Sequence, residues 1–187
     1  MKKLQIDNVI YEANVDFRNI IECNRISNDN TITDIERALA IIYLVFGETA
    51  LNNTNHHEKL LKWLNNYLTN GEEIKNDEEP DMDFIKDMDY IEASFMSDYG
   101  MDLSSTNMEW KKFINLINGL SNSELGNCCV LNRIRNLRNF DPSTIKDDKE
   151  RKKIIEAQKR VALDKKENHL TKEQEESMNF LNKIIGI

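Results

Sequence analysis

The chain has 187 residues, with 25 Lys and Arg against 33 Asp and Glu, so its net charge is −8. That length suits one domain, or one domain with an appendage, and roughly 70% of the unfolded surface can be buried without a metal or disulfide staple. The composition excludes two classes: the longest apolar run, about Leu39 to Phe46, is far short of the roughly 20 residues of a membrane span, and 6 Gly and 2 Pro are too few for a loop-rich all-β protein or a long disordered linker.

The first element is the only strand-like one. Leu4 and Ile6 alternate with Gln5 and Asp7, and Asp7-Asn8 is a turn pair, so a β-hairpin is predicted over 4–15. Two lysines open the sequence, but no apolar core or small-residue cleavage site follows them, so no signal peptide is expected. Asp16 can cap a helix carrying Phe17, Ile20, Ile21, Cys23 and Ile26, which Ser27 to Asn30 breaks. Thr33-x-x-Glu36 is a capping box, in which each side chain satisfies the other's free backbone donor. Behind it Ile35, Leu39, Ile42 and Phe46 recur at helical spacing, widened by Ala38, Ile41 and Val45, so this should be the most buried helix, ending at Gly47. Residues 52–55 read as a loop, and Leu60, Leu61, Leu64 and Leu68 mark a helix ending near Gly71.

Residues 72–80 form an acidic loop. A helix from Asp81 or Asp83 then carries Phe84, Met88, Ile91 and Phe95, and stops at Tyr99-Gly100. Trp110, Phe113, Ile114 and Ile117 mark another, closed by Gly119. Ser121-x-x-Glu124 is a second capping box, opening a short segment through Leu125. Asp141-Pro142 breaks the chain, and Ser143 or Thr144 should cap a long basic helix through Ile154, Ile155 and Val161. A last helix, Thr171 to Ile185, carries Met178, Leu181, Ile184 and Ile185 on one narrow side. The fold class is therefore mainly α: a single helical domain with a small N-terminal β-hairpin.

Chemistry-bearing motifs are scarce. Cys23, Cys128 and Cys129 are odd in number and include a vicinal pair, which reads as buried small apolar residues in a reducing compartment rather than a disulfide framework. Asp81 and Asp83 begin an EF-hand-like run, but Ile85 and Lys86 stand where a ligand and a glycine are required. His56 and His57 point about 100° apart on a helix and cannot jointly chelate one ion, so they read as surface residues. No phosphate-binding loop, nucleophile elbow or kinase signature occurs. These readings predict no enzyme, no cofactor and no metal.

Charge is unevenly spread. Residues 1–80, 81–109 and 110–187 carry net charges of −6, −7 and +5. Ten cations lie between Arg133 and Arg160, against five carboxylates. Aromatic interleaving is limited to Phe140, so nucleic-acid binding is disfavoured. Internal pairing with the acidic 81–98 segment and a free partner surface are the two readings left open.

The ordered marks resemble the bacteriophage gene-product-fifteen family of tailed phages and prophages of Gram-positive bacteria. They are Asp16-Phe17-Arg18; Leu44, Phe46 and Gly47; Asp83-Phe84, Asp87, Ile91 and Ser94-Phe95; Tyr99 to Leu103; Trp110 and Phe113; Gly119-Leu120-Ser121; Arg135 or Arg138; Lys149 to Arg151; and Lys159-Arg160. The family cluster usually has a second Trp and a His, where this chain has Met108 to Phe113 with one Trp. The resemblance runs over 1–163 and leaves 164–187 as a C-terminal helical extension. It implies a non-enzymatic tail assembly chaperone or adaptor, which binds the tape measure protein before tail tube polymerisation. Its partners would be that protein and a companion tail assembly chaperone, with a homo-oligomer left open and no membrane. It would act in the host bacterial cytoplasm and be absent from the mature virion. The alternatives are a structural tail component and a nucleic-acid-binding regulator using 133–160. Partner-binding residues expected on this reading are Trp110, Phe113, Met178, Leu181, Ile184 and Ile185.

Overall fold

Alternation of apolar and polar residues makes the N-terminus a hairpin. The computed structural model, which describes residues 1–71, 80–122 and 128–163, pairs β1 (Lys2–Ile6) antiparallel with β2 (Val9–Ala13), placing Leu4 opposite Tyr11 and Ile6 opposite Val9. Leu4, Ile6, Tyr11 and Ala13 are buried, and Ile10 is exposed on the outer side. Asp7 takes a φ of 52° at the turn, a left-handed conformation that Asp tolerates. The strands begin and end two residues earlier than the 4–15 predicted. Beyond Ala13 the backbone is claimed by other neighbours: Asn14 N–H donates to the Val45 carbonyl (2.8 Å), Trp110 N–H donates to that of Val15 (2.9 Å) and Asp16 bridges Glu109.

The rest is helical among the described residues: α1 (Phe17–Ser27), α2 (Asp34–Phe46), α3 (Glu48–Asn52), α4 (His57–Thr69), α5 (Met88–Tyr99), α6 (Trp110–Asn118), α7 (Val130–Asn139) and α8 (Asp148–Val161). The chain is thus mainly α with an N-terminal hairpin, as its patterning predicts. It divides into two compact units. Among the described residues the first holds 1–71 and 108–114, and the second 80–107, 115–122 and 128–163.

In the first unit the caps follow the sequence. The Asp16 carboxylate accepts from Arg18 N–H, and Thr33 and Glu36 form the reciprocal capping box. Gly47 ends α2 with φ 78°, a conformation glycine adopts without penalty. Ile20, Cys23, Ile41, Ile42, Val45, Leu60 and Leu64 pack with the inner face of the hairpin. Burying each large aliphatic contributes roughly 1.5–3 kcal/mol. The stripe on α2 is rotated from the predicted one: Ile35 is 72% exposed, and Arg37, Ile41, Ile42, Val45 and Phe46 face inward. Arg37 points in because its guanidinium donates to the Asp29 carbonyl and pairs with Asp34, tying the 29–34 loop to the helix. Residues 52–55 are not simply a loop: α3 and a 3-10 turn (Thr54–His56) occupy them.

In the second unit two helix starts differ from expectation. α5 begins at Met88 rather than at Asp81 or Asp83. The Asp83 carboxylate accepts from Ile85 and Lys86 N–H, closing a tight turn before the helix. α8 begins at Asp148, capped by Asp147, while Asp141 caps a separate 3-10 turn (Pro142–Thr144). α7 is an unpredicted helix, because its cap is Cys129, whose sulfur accepts from Asn132 N–H at 3.4 Å. At Gly119 a Cβ would lie 2.9 Å from Tyr99 Oη, which donates to the Leu116 carbonyl. The Glu124 half of the second capping box, and the helix predicted over 171–185, lie outside the described residues.

Candidate protein-interaction surfaces

The aromatic residues expected to meet a partner are largely inside the first unit. Phe113 is fully buried, its ring stacked on Phe17 at 4.4 Å. It is a core residue, and its ring is not offered to a partner. Trp110 is half-buried against the same core, 5.9 Å from the Phe113 ring. Trp110 and Phe113 stand in the aromatic cluster that carries the family resemblance, and at helical spacing such a cluster marks a buried face and a binding face alike. Met178, Leu181, Ile184 and Ile185 lie outside the described residues.

The structure instead exposes an apolar line on α2. Ile35 and Tyr43 are 72% and 57% exposed, and the half-buried Leu39 lies between them. Spaced four apart, they fall within about 80° of arc on one side of the helix. They border the inward row of Ile41, Ile42 and Val45, with Ile42 only about 20° around the helix from Ile35.

Histidines read as surface residues are latches within the first unit. His56 Nδ1 lies 2.7 Å from the Tyr11 hydroxyl, and its Nε2 lies 3.2 Å from Asp7. Lys59 also pairs with Asp7, and its hydrogen bond and charge hold that carboxyl below its ordinary pKa. His57 Nε2 lies within hydrogen-bond distance of the Ala50 and Leu51 carbonyls. Cys23 is buried, and burial pushes its thiol up to about 12. Cys128 is half-buried and shifted upward by burial, then by its neighbour Cys129.

In the second unit the basic and acidic segments meet through α7. Arg138 donates a fork to Asp87, Nη1 to Oδ2 at 2.7 Å and Nη2 to Oδ1 at 2.6 Å. Asp87 is fully buried and Arg138 nearly so. The same guanidinium donates to the carbonyls of Asp81 (2.9 Å) and Val161 (2.6 Å). Asp87 Oδ2 also accepts from Asp83 N–H at 3.0 Å. The Asp87 hydrogen bond raises the Arg138 pKa beyond its already high value. One turn earlier, Arg135 forms a second fork to Asp81, at 3.0 and 3.1 Å. Sequence reasoning noted both arginines but not their acceptors, which are 51 and 54 residues away.

α8 packs on α7, with Gln158 donating to the Leu137 and Phe140 carbonyls. No residue of α8 is buried. Lys149, Lys152, Lys153, Lys159 and Arg160 are exposed, and among the described residues they make no ion pair. The described residues contain no group of three or more potential metal ligands, and none of their helices is long and apolar enough to cross a membrane.

The family profile Bacteriophage Gp15 protein matches residues 1–163, and the chain belongs to that family. This places it among bacteriophage structural or morphogenesis proteins. No curated protein and no solved structure matches the chain.

Proposed function

We propose that the protein is a non-enzymatic tail assembly chaperone or adaptor that holds the phage tape measure protein before the tail tube polymerises. The observation that carries this reading is family membership over residues 1–163. Members of this family resemble chaperones encoded between the major tail protein and the tape measure protein. The exposed Ile35, Leu39 and Tyr43 line on α2 supports it, because an apolar line at helical spacing is what an amphipathic client helix packs against. A companion chaperone is the second partner on this reading, and the finished virion would not contain the protein.

The test is co-expression with the long tape measure protein, followed by affinity purification of the full chain. A soluble complex that weakens in Ile35→Asp and Tyr43→Asp is the expected result. A client equally soluble alone, with no co-purification, would sink the reading. Mass spectrometry of purified virions separates a chaperone from a structural tail component, which would be found in the particle.

A further inference from the structure

The outward face of α8 has a composition that the tail-assembly reading does not use. The side toward α7 is made of Arg151, Ile154, Ala157, Gln158 and Val161, all partly covered. The opposite side carries Lys149, Lys152, Lys153, Glu156, Lys159 and Arg160, all exposed. At 1.5 Å per residue, Lys149 to Arg160 spans about 16 Å. Ile155 lies at the edge of this face, 37% exposed. It follows Lys152 by three positions and precedes Lys159 by four, so both lysine stems are its neighbours on the helix surface.

We propose that this face docks an acidic amphipathic segment of another protein. Carboxylates of the segment pair with Lys149, Lys152, Lys153, Lys159 and Arg160, and an apolar side chain packs on Ile155 between the lysine stems. Charge complementarity selects the partner: five cations without an ion pair among the described residues face solvent along one side. One feature selects protein over nucleic acid. Ile155 and Glu156 interrupt the face with an apolar side chain and a carboxylate. A sugar-phosphate backbone gains nothing from the first and is repelled by the second. In a protein partner both specify register, the isoleucine by packing and the glutamate by requiring a cation opposite.

The inference is independent of the tape measure reading and is tested without phage components. The probe is a fluorescent helical peptide of about 16 residues, with glutamates on one side and leucines at its edge, titrated against the full chain. A peptide of equal charge lacking the leucines, and a duplex DNA, are the comparisons. The expected result is saturable peptide binding that weakens with salt. Ile155→Ala weakens it about fivefold, as does loss of the peptide leucines, for about 1 kcal/mol of lost apolar contact. Lys152→Glu combined with Lys159→Glu removes it. All three side chains are exposed, so an unchanged urea midpoint establishes that the variants are folded. Duplex binding tighter than peptide binding, or peptide binding indifferent to Ile155→Ala, overturns the proposal in favour of a plain polyanion surface. No peptide binding at low salt overturns it outright.

Discussion

α7 and α8 are both basic, adjacent in the chain and packed on one another, yet their charges are used in opposite ways. Arg135 and Arg138 turn toward Asp81 and Asp87, the first pair partly exposed and the second buried. The lysines of α8 are exposed and form no ion pair among the described residues. The difference is one of helical phase. α7 buries Leu131 and Asn132, and its packing on α5 carries the arginines one and two turns later to the acidic turn before that helix. α8 uses only its Arg151, Ile154, Gln158 and Val161 side for contact, so the cations between those positions face out. Net charge over a stretch therefore says little about its fate; the phase of each cation relative to the buried side decides it.

The largest test of this contrast is Asp87→Ala. It leaves the Arg138 guanidinium unpaired in a nearly dry site, and unpairing a buried charge costs about 3–5 kcal/mol. Urea denaturation should show that loss. A change under about 1 kcal/mol would mean that water reaches the pair as it reaches an exposed one. Arg138→Lys keeps the charge but cannot span both Asp87 oxygens and the Asp81 and Val161 carbonyls. Its cost should be smaller, about 1.5–3 kcal/mol, read from the same midpoint.

Asp98 gives a pH-dependent check within the same unit. Its carboxylate accepts from Ser121 N–H at 2.8 Å, which lowers its pKa. A carboxyl with a lowered folded pKa stabilises fully above its unfolded value of about 4, and that contribution is lost as pH falls through the lowered one. The stability gap between the native chain and Asp98→Asn should therefore be under about 1 kcal/mol at neutral pH, given the exposure of the group. It should shrink below about pH 4. A gap that grows on acidification would contradict the assignment. The smallest effect is expected on α8: Lys153→Gln should shift stability by no more than about 0.5 kcal/mol, measured by thermal melting.

Local signals were legible where one residue settles a backbone group. The Asp7-Asn8 turn, the Asp16 cap, the Thr33–Glu36 box and the Gly47 and Gly100 stops could all be read from the sequence. The failures have separate causes. Asp81 and Asp83 looked like helix-starting acids, but Asp81 pairs with Arg135 and Asp83 closes a turn before the helix. α7 was hidden because cysteine is not an expected cap. Ile35 fitted the apolar period of α2 and is nevertheless exposed, because the buried Arg37 and its loop partners rotate the contact face. The surfaces were less legible than the fold. The resemblance pointed to Phe113, which the core had taken, and periodicity gave no sign that Ile155 would lie at the edge of a basic face.

The most direct measurement of the division between α7 and α8 compares two charge-neutralised chains in the same pair of assays. One carries Arg135→Gln and Arg138→Gln; the other carries Lys149→Gln, Lys152→Gln and Lys153→Gln. Internal pairing on α7 and a free face on α8 predict that the arginine variant loses about 3 kcal/mol or more in urea denaturation. They predict that the lysine variant keeps its stability within about 1 kcal/mol and loses affinity for the acidic peptide. A stable arginine variant, or a lysine variant that unfolds early while keeping its peptide affinity, would contradict that division.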